Sequence, residues 1–171
     1  MNKYIAFLRG INVSGKHLIK MDELKGLFEE IGFTAVKTYI QSGNILFYSN
    51  HMDKKDVENT IEAGIATRFN MTVPAIVLPA EALESYLEQN PYKDAPSGTL
   101  YFTFCKDMPT AALSRAFSDE DDKFMQKDSV IYLHIPNGYG RTKLNNQFFE
   151  SKLKVICTTR NFQTCRKMLD L

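Results

Sequence analysis

The sequence predicts an α+β protein of two ferredoxin-like (split βαβ) halves with antiparallel-rich sheets, plus C-terminal helices. Short apolar stretches of strand length alternate with segments whose apolar residues repeat at helical spacing. In the first half these elements follow one another as β-α-β-β-α-β, the order of a split βαβ unit. A chain of 171 residues accommodates two such subdomains, and we place them at 1–79 and 80–171.

In the first half, glycine and polar residues mark where the elements begin and end. The predicted strands are residues 3–8, 33–40, 45–48 and 73–78. A helix runs from Met21 to Ile31, with Asp22 as N-cap and Gly32 as a left-handed C-cap. Asp53 opens a second helix with an apolar stripe, formed by Val57, Ile61, Ile65 and Phe69. Ser42-Gly43-Asn44 is the tight turn of the intervening hairpin.

The second half repeats the order of elements without repeating the sequence. The predicted strands are residues 100–105, 124–126 and 130–135, the last two forming a hairpin. The predicted helices are 80–88, Pro109 to Phe117, 142–153 and 160–169. Residues 155–159 connect the last two helices, and a second glycine loop at 137–140 follows the hairpin.

Composition and residue spacing exclude several classes of protein. The net charge of +1 and the scattered charges leave no tail suited to nucleic acid or a membrane surface. The apolar runs are too short to span a bilayer, and the N-terminus lacks a signal-peptide pattern. Cys105, Cys157 and Cys165 share no C-x-x-C spacing and are interpreted as core thiols. We therefore expect a cytoplasmic protein with no metal site and no cofactor.

The densest cluster of glycine and polar residues in the first third follows the first strand, at residues 9–16. If this loop meets the 42–44 turn, arginine and lysine lie beside amide and hydroxyl groups, and backbone N–H groups in glycine turns attract anions. The predicted start of the last helix has similar donors. We therefore expect a small anionic or phosphorylated ligand. The candidate ligand-binding residues are Arg9, Asn12, Gly15, Lys16, Ser42, Gly43, Asn44, Arg160 and Asn161.

Other interpretations of this loop remain open. Turn chemistry alone explains the glycine, asparagine and serine residues. The spacing Gly10-x4-Gly15-Lys16 resembles a Walker A loop, but His17 occupies the Ser/Thr position and the helical pattern begins only at Met21. We therefore do not expect nucleotide hydrolysis.

Two further alternatives belong to different functional classes. RNA-recognition domains share the βαββαβ order, but the third strand here lacks their aromatic spacing and the net charge is near neutral, so nucleic acid is not the expected partner. The other alternative is a protein-interaction domain without a small ligand, which would form a homodimer or retain a partner through an exposed apolar patch. No membrane partner is expected.

Motifs at both ends of the chain resemble the domain of unknown function 1697 family of soluble bacterial proteins. The N-terminal motifs are Phe7-Leu8-Arg9-Gly10-Ile11-Asn12-Val13-x-Gly15, Met21-x-x-Leu24, Gly32-Phe33 and Thr38-Tyr39-Ile40-Gln41-Ser42-Gly43-Asn44. The C-terminal motif is Thr158-Thr159-Arg160-Asn161-Phe162-x-Thr164, in which Phe162 stands where tryptophan is expected. The resemblance implies a two-part α+β protein with ferredoxin-like topology, and it implies no particular reaction.

Overall fold

The computed structural model describes residues 1–50, 53–114 and 121–171. The chain divides into two compact units. Unit 1 comprises Met1–Leu83 with Lys167–Leu171, and unit 2 comprises Glu84–Arg166. The domain boundary predicted between residues 79 and 80 stays a prediction. Among these described residues, none of the helices combines the length and the apolar composition that a membrane span requires.

Unit 1 contains an antiparallel four-stranded sheet in the order β2-β3-β1-β4. Its strands are β1 (Asn2–Leu8), β2 (Thr34–Tyr39), β3 (Asn44–Ser49) and β4 (Ala75–Pro79). Its helices are α1 (Met21–Glu30) and α2 (Lys54–Phe69), and α3 (Ala80–Glu88) follows β4 in the chain. This confirms the predicted βαββαβ order. Phe7 near the end of β1 pairs with Asn44 at the start of β3. The loop after β1 and the β2–β3 turn therefore lie at the same end of the sheet.

The ends of α1 confirm one predicted cap and correct the other. The N-cap position is Lys20, without a side-chain cap, and Asp22 lies inside the first turn, so Asp22 is not the N-cap. Gly32 follows the helix at a φ of +95°, and its N–H donates to the Glu29 carbonyl at 3.1 Å. The left-handed conformation that favours glycine therefore ends the helix as predicted.

Helix α2 begins where the sequence predicts. The Asp53 carboxylate accepts the N–H groups of Lys55 and Asp56 at 2.8 and 3.1 Å. The predicted hairpin between β2 and β3 is also present, but its turn covers residues 40–43 and Asn44 already belongs to β3. Ile40 and Gly43, with φ of +48° and +76°, let the four-residue turn close.

Unit 2 contains a second antiparallel four-stranded sheet, in the order β6-β7-β5-β8. Its strands are β5 (Leu100–Cys105), β6 (Lys123–Lys127), β7 (Val130–His134) and β8 (Cys157–Asn161). The remaining helices of the chain are α4 (Asn146–Leu153) and α5 (Phe162–Leu169), with short 3-10 turns at Ser97–Thr99 and Tyr139–Arg141. Its strands are ordered in space as in unit 1, which confirms the prediction of a mixed α+β fold with two antiparallel sheets.

Three helix predictions in this half need correction. Residues 109–114 are not helical, and the rest of the predicted Pro109–Phe117 helix lies outside the described residues. Helix α4 begins four residues later than predicted, because the Asn145 side chain accepts the Phe148 N–H at 2.9 Å and acts as N-cap.

The predicted helix 160–169 also begins later, because residues 157–161 form strand β8. The Asn161 carboxamide accepts the Thr164 N–H at 2.7 Å, so Asn161 precedes α5 as its cap. Arg160 is therefore a strand residue, and the segment 155–159 is not merely a connection between helices.

In each unit, glutamate side chains from a helix accept hydrogen bonds from backbone N–H groups of an outer strand of the sheet. In unit 1, Glu62 and Glu58 of α2 accept the N–H groups of Ala75 and Val77 in β4 at 2.8 and 3.0 Å. In unit 2, Glu150 of α4 accepts the N–H of the first residue of β8 at 3.0 Å. An outer strand has backbone N–H groups that pair with no neighbouring strand, so these carboxylates replace the missing neighbour.

We predict that Glu58→Leu lowers the free energy of unfolding by about 1–3 kcal/mol more than Glu58→Gln. Glu58 is buried, so leucine leaves the Val77 N–H without an acceptor, whereas glutamine keeps one. Urea denaturation followed by circular dichroism measures the difference. Equal stability of the two variants would contradict this role.

Candidate functional site

The two candidate loops of unit 1 meet. We name the surface formed by residues 9–20 and 40–44 the loop edge. The Leu8 N–H donates to the Gly43 carbonyl at 2.9 Å, which links the end of β1 to the turn. A Cβ added at Gly43 would lie 2.8 Å from side-chain atoms of both Leu8 and Ile11. Glycine is therefore required at position 43 for close packing as well as for its positive φ.

The side-chain amide of Asn12 joins the two parts of the loop edge. Its Nδ2 donates to the Ile19 carbonyl at 3.0 Å and to the Gln41 carbonyl at 2.8 Å, and its Oδ1 accepts the Ile19 N–H at 2.8 Å. The Asn12 amide thus attaches the loop 9–20 to the turn 40–44. Asn12 adopts a φ of +53°, a conformation that asparagine tolerates better than most residues.

The tip of the first loop is a small hairpin. Val13 pairs with Lys16, and the Lys16 N–H donates to the Val13 carbonyl at 3.0 Å. The two intervening residues, Ser14 and Gly15, have φ of +50° and +72°, as a type I′ turn requires. Because helix α1 begins only at Met21, the loop does not have the strand–loop–helix geometry of a Walker A site.

The polar groups of the second loop stabilise the turn. Asn44 is fully buried, and its Nδ2 donates to the Tyr39 carbonyl and to the Ser42 hydroxyl, both at 2.9 Å. Ser42 and Asn44 therefore stabilise the turn, as turn chemistry alone suggested, and their contact with a ligand stays a prediction.

The loop edge is rich in cations. Arg9 is half-buried at the end of β1, and Lys16 and Lys20 are exposed. Residues 1–21 and 31–52 contain no aspartate or glutamate, so the acids nearest in sequence are Asp22 and Glu23 in the first turn of α1. Opposite charges are therefore absent from both loops themselves, and this favours a positive local potential.

The sequence did not predict the apolar side chains that are exposed at the loop edge. Val13, Leu18 and Ile40 are 57%, 65% and 51% exposed. The Ser14-Gly15 dipeptide between Val13 and Lys16 was an available signal for a hairpin, and a hairpin tip exposes its flanking side chains. Val13 and Leu18 lie on the same loop as the cations, and Ile40 lies in the adjoining turn.

Arg160 and Asn161 lie in unit 2, where both support the local structure. The buried Arg160 guanidinium donates from Nη1 to the Thr158 hydroxyl at 2.7 Å and to the Thr159 carbonyl at 2.9 Å. Asn161 caps α5. Arg160 therefore lies in a strand and not at a helix start, whereas Asn161 does precede α5; ligand binding by these two residues stays a prediction.

Two cavities lie elsewhere than the loop edge. One of about 840 Å³ is lined by residues of the segment 108–113 and of β6, and one of about 800 Å³ is a groove between α1 and α2. Among the residues that the structure describes, no group of three or more His, Cys, Asp or Glu side chains could hold a metal ion.

Three aromatic side chains of β1 and β3, the two central strands of unit 1, do not form the exposed platform that base stacking requires. Tyr4, Phe7 and Phe47 are at most 3% exposed, and the Tyr4 and Phe47 rings stack on each other with centroids 5.9 Å apart. RNA-recognition domains need such side chains on the solvent face of the central strands. The RNA alternative therefore finds no support in these residues.

We predict that Asn12→Ala destabilises the protein by about 2–3 kcal/mol, because it removes three hydrogen bonds and places alanine at a positive φ. Asn12→Gly is the matched control, since it removes the same bonds without the strain at a positive φ and so should lose less. Urea denaturation measures both values. A loss below about 0.5 kcal/mol for Asn12→Ala would show that the amide does not hold the loops together.

Comparison with known proteins agrees with the fold. The chain is similar to the conserved bacterial protein SP0830 from Streptococcus pneumoniae, with 24% sequence identity, a TM-score of 0.75, and coverage of 99% of this chain and 97% of that one. A search of curated proteins found no match. A family profile described as "Protein of unknown function (DUF1697)" matches residues 1–132. The chain therefore belongs to the DUF1697 family of proteins of unknown function.

Proposed function

We propose that unit 1 is a binding module whose loop edge takes a small anionic or phosphorylated ligand. The observation that carries this proposal is the fixing of the cation-bearing loop 9–20 to the adjoining turn 40–44 through Asn12, since neither segment contains an acidic residue. A surface that is already ordered loses little conformational entropy when a ligand binds. No reaction follows from this arrangement, and none is proposed.

Arg9 and Lys16 are the groups proposed to contact the anion. A guanidinium offers several N–H donors in a fixed plane, and an ammonium adds a mobile point charge. Lys16 is exposed at the hairpin tip, and Arg9 lies at its base at the end of β1. Gly15, exposed beside Lys16, leaves room for a ligand to approach the backbone.

We predict that at least one anion class, among nucleotides, sugar phosphates, pyrophosphate and carboxylates, raises the melting temperature of the wild-type protein. Calorimetric titration of that anion should show Lys16→Ala and Arg9→Ala binding about tenfold more weakly, since each removes one charge-assisted hydrogen bond. Affinity should also fall between about 0.01 M and about 0.15 M salt, as the Debye length shortens from about 30 to about 8 Å.

Lys25→Ala is the matched control for this titration. Lys25 is an exposed lysine of the same unit, located on α1 where it pairs with Glu29 at 3.9 Å. Its removal should leave the affinity unchanged. The proposal is contradicted if no anion shifts the melting temperature, or if Lys16→Ala and Lys25→Ala bind equally well.

A second candidate is a protein-interaction domain, favoured by the exposed apolar side chains of the loop edge. Val13 and Leu18 flank the hairpin tip and Ile40 lies in the adjoining turn, so all three could contact an apolar surface on a partner. Isolated exposed hydrophobics are common, but large exposed ones grouped on two linked loops are typical of contact surfaces. The partner class considered is a second copy of this chain.

This second candidate predicts a dimer of the wild-type protein at micromolar concentration in sedimentation velocity, and a monomer for Leu18→Ser, which removes apolar contact area. Leu18 is 65% exposed, so serine should leave the fold intact. Lys25→Ala again serves as the unaffected control. A wild-type protein that stays monomeric at all concentrations contradicts self-association and leaves anion binding as the only proposed function.

A further inference from the structure

Cys105 and Cys157 form a thiol pair in unit 2, although 52 positions separate them in the sequence. Cys105 is the last residue of β5 and Cys157 is the first residue of β8, and the two are direct partners in the antiparallel ladder. Their sulfur atoms lie 3.5 Å apart. Both cysteines are in the thiol form.

The backbone hydrogen bonds around the pair show which kind of ladder position it occupies. The Cys105 N–H donates to the Ser129 carbonyl, and the Cys157 N–H donates to the Glu150 carboxylate. Neither bond links the two cysteines, while the Lys106 N–H donates to the Ile156 carbonyl just beyond them. This is a non-hydrogen-bonded pair.

In such a pair the Cα atoms are about 4.5 Å apart, within the range of about 4.4–6.8 Å that a disulfide spans. The two side chains also leave the sheet on the same face, since direct partners in a ladder do so. Rotation of the side chains is therefore enough to bring the sulfurs to bonding distance, without a change of register.

The pair lies at the end of the β5–β8 ladder, and this position favours access of a small oxidant to the sulfur atoms. Cys105 and Cys157 are buried in the core cluster with Phe149 and Leu153 of α4. The adjoining Ile156 is 38% exposed and already outside β8. Strand ends open locally at lower free energy than the centre of a sheet, so we expect a small oxidant to reach this site without global unfolding.

We propose that Cys105 and Cys157 are a redox modification site, at which hydrogen peroxide converts the two thiols into a cross-strand disulfide. One sulfur, as thiolate, attacks a peroxide oxygen and the O–O bond breaks, which gives a sulfenic acid and, after proton transfer, water. The second thiol sulfur attacks the sulfenic sulfur, the S–O bond breaks, and a second water leaves with the remaining thiol proton. The two sulfurs together lose two electrons, and the peroxide oxygens gain them.

Cys165 provides an internal reference. It lies in α5 and is fully buried, and this burial raises the pKa of its thiol far above the ordinary value, while the Arg160 charge lowers it only in part. Because the thiolate is the reactive form, we expect Cys165 to stay reduced during a brief exposure that oxidises the pair.

The test is a thiol count of the intact protein in denaturant, before and after treatment with hydrogen peroxide and removal of the excess. We expect the count to fall from three to one and to return to three after reduction by dithiothreitol. The thiol count of the Cys165→Ala variant should fall from two to none. The Cys105→Ser variant should form no intramolecular disulfide. Peptide mapping of the oxidised wild-type protein should find one linked pair, containing Cys105 and Cys157.

Peptide mapping needs no variant, so it decides the question even if a substituted protein fails to fold. A count that remains at three contradicts the proposal. Linked peptides that contain Cys165 also contradict it, as does a loss of thiols that dithiothreitol does not reverse. The outcome is independent of anion binding, because the cysteines lie in unit 2 and the loop edge lies in unit 1.

Discussion

The amide of Asn12 is the contact on which the loop edge of unit 1 depends. One side chain satisfies both backbone groups of Ile19 and the carbonyl of Gln41, so it closes the first loop on itself and attaches it to the second. Loops of this length with exposed backbone are ordinarily mobile. Here the amide and the close packing of Gly43 against Ile11 give two loops one geometry.

The ends of the secondary-structure elements show where sequence reasoning succeeds. Asp53 and Gly32 could be predicted as caps because their side-chain type and position have one local interpretation. Arg160 could not be placed, because a helical pattern in 162–169 extends backwards through polar residues with no local stop signal. Pairing with β5 makes residues 157–161 a strand, and that tertiary contact is not visible in the local sequence.

The sequence predicted which residue types lie in the candidate site, but it did not predict the role of each residue. Glycine, asparagine and serine were expected both in a turn and in an anion site, so residue type did not distinguish them. The structure assigns Asn12, Ser42 and Asn44 to holding the loops. Arg9, Gly15 and Lys16 remain as the proposed contacts. The thiol pair depends on ladder register, and the spacing of Cys105 and Cys157 gave no signal for it.

The most direct test of the central claim, that two linked loops form one binding surface, is a titration of ¹⁵N-labelled protein with pyrophosphate followed by NMR. We predict that the amide signals of residues 10–17 and of residues 41–44 shift together, with a single dissociation constant, while those around Lys25 do not move. Shifts scattered over all exposed lysines, or confined to one loop, would contradict it.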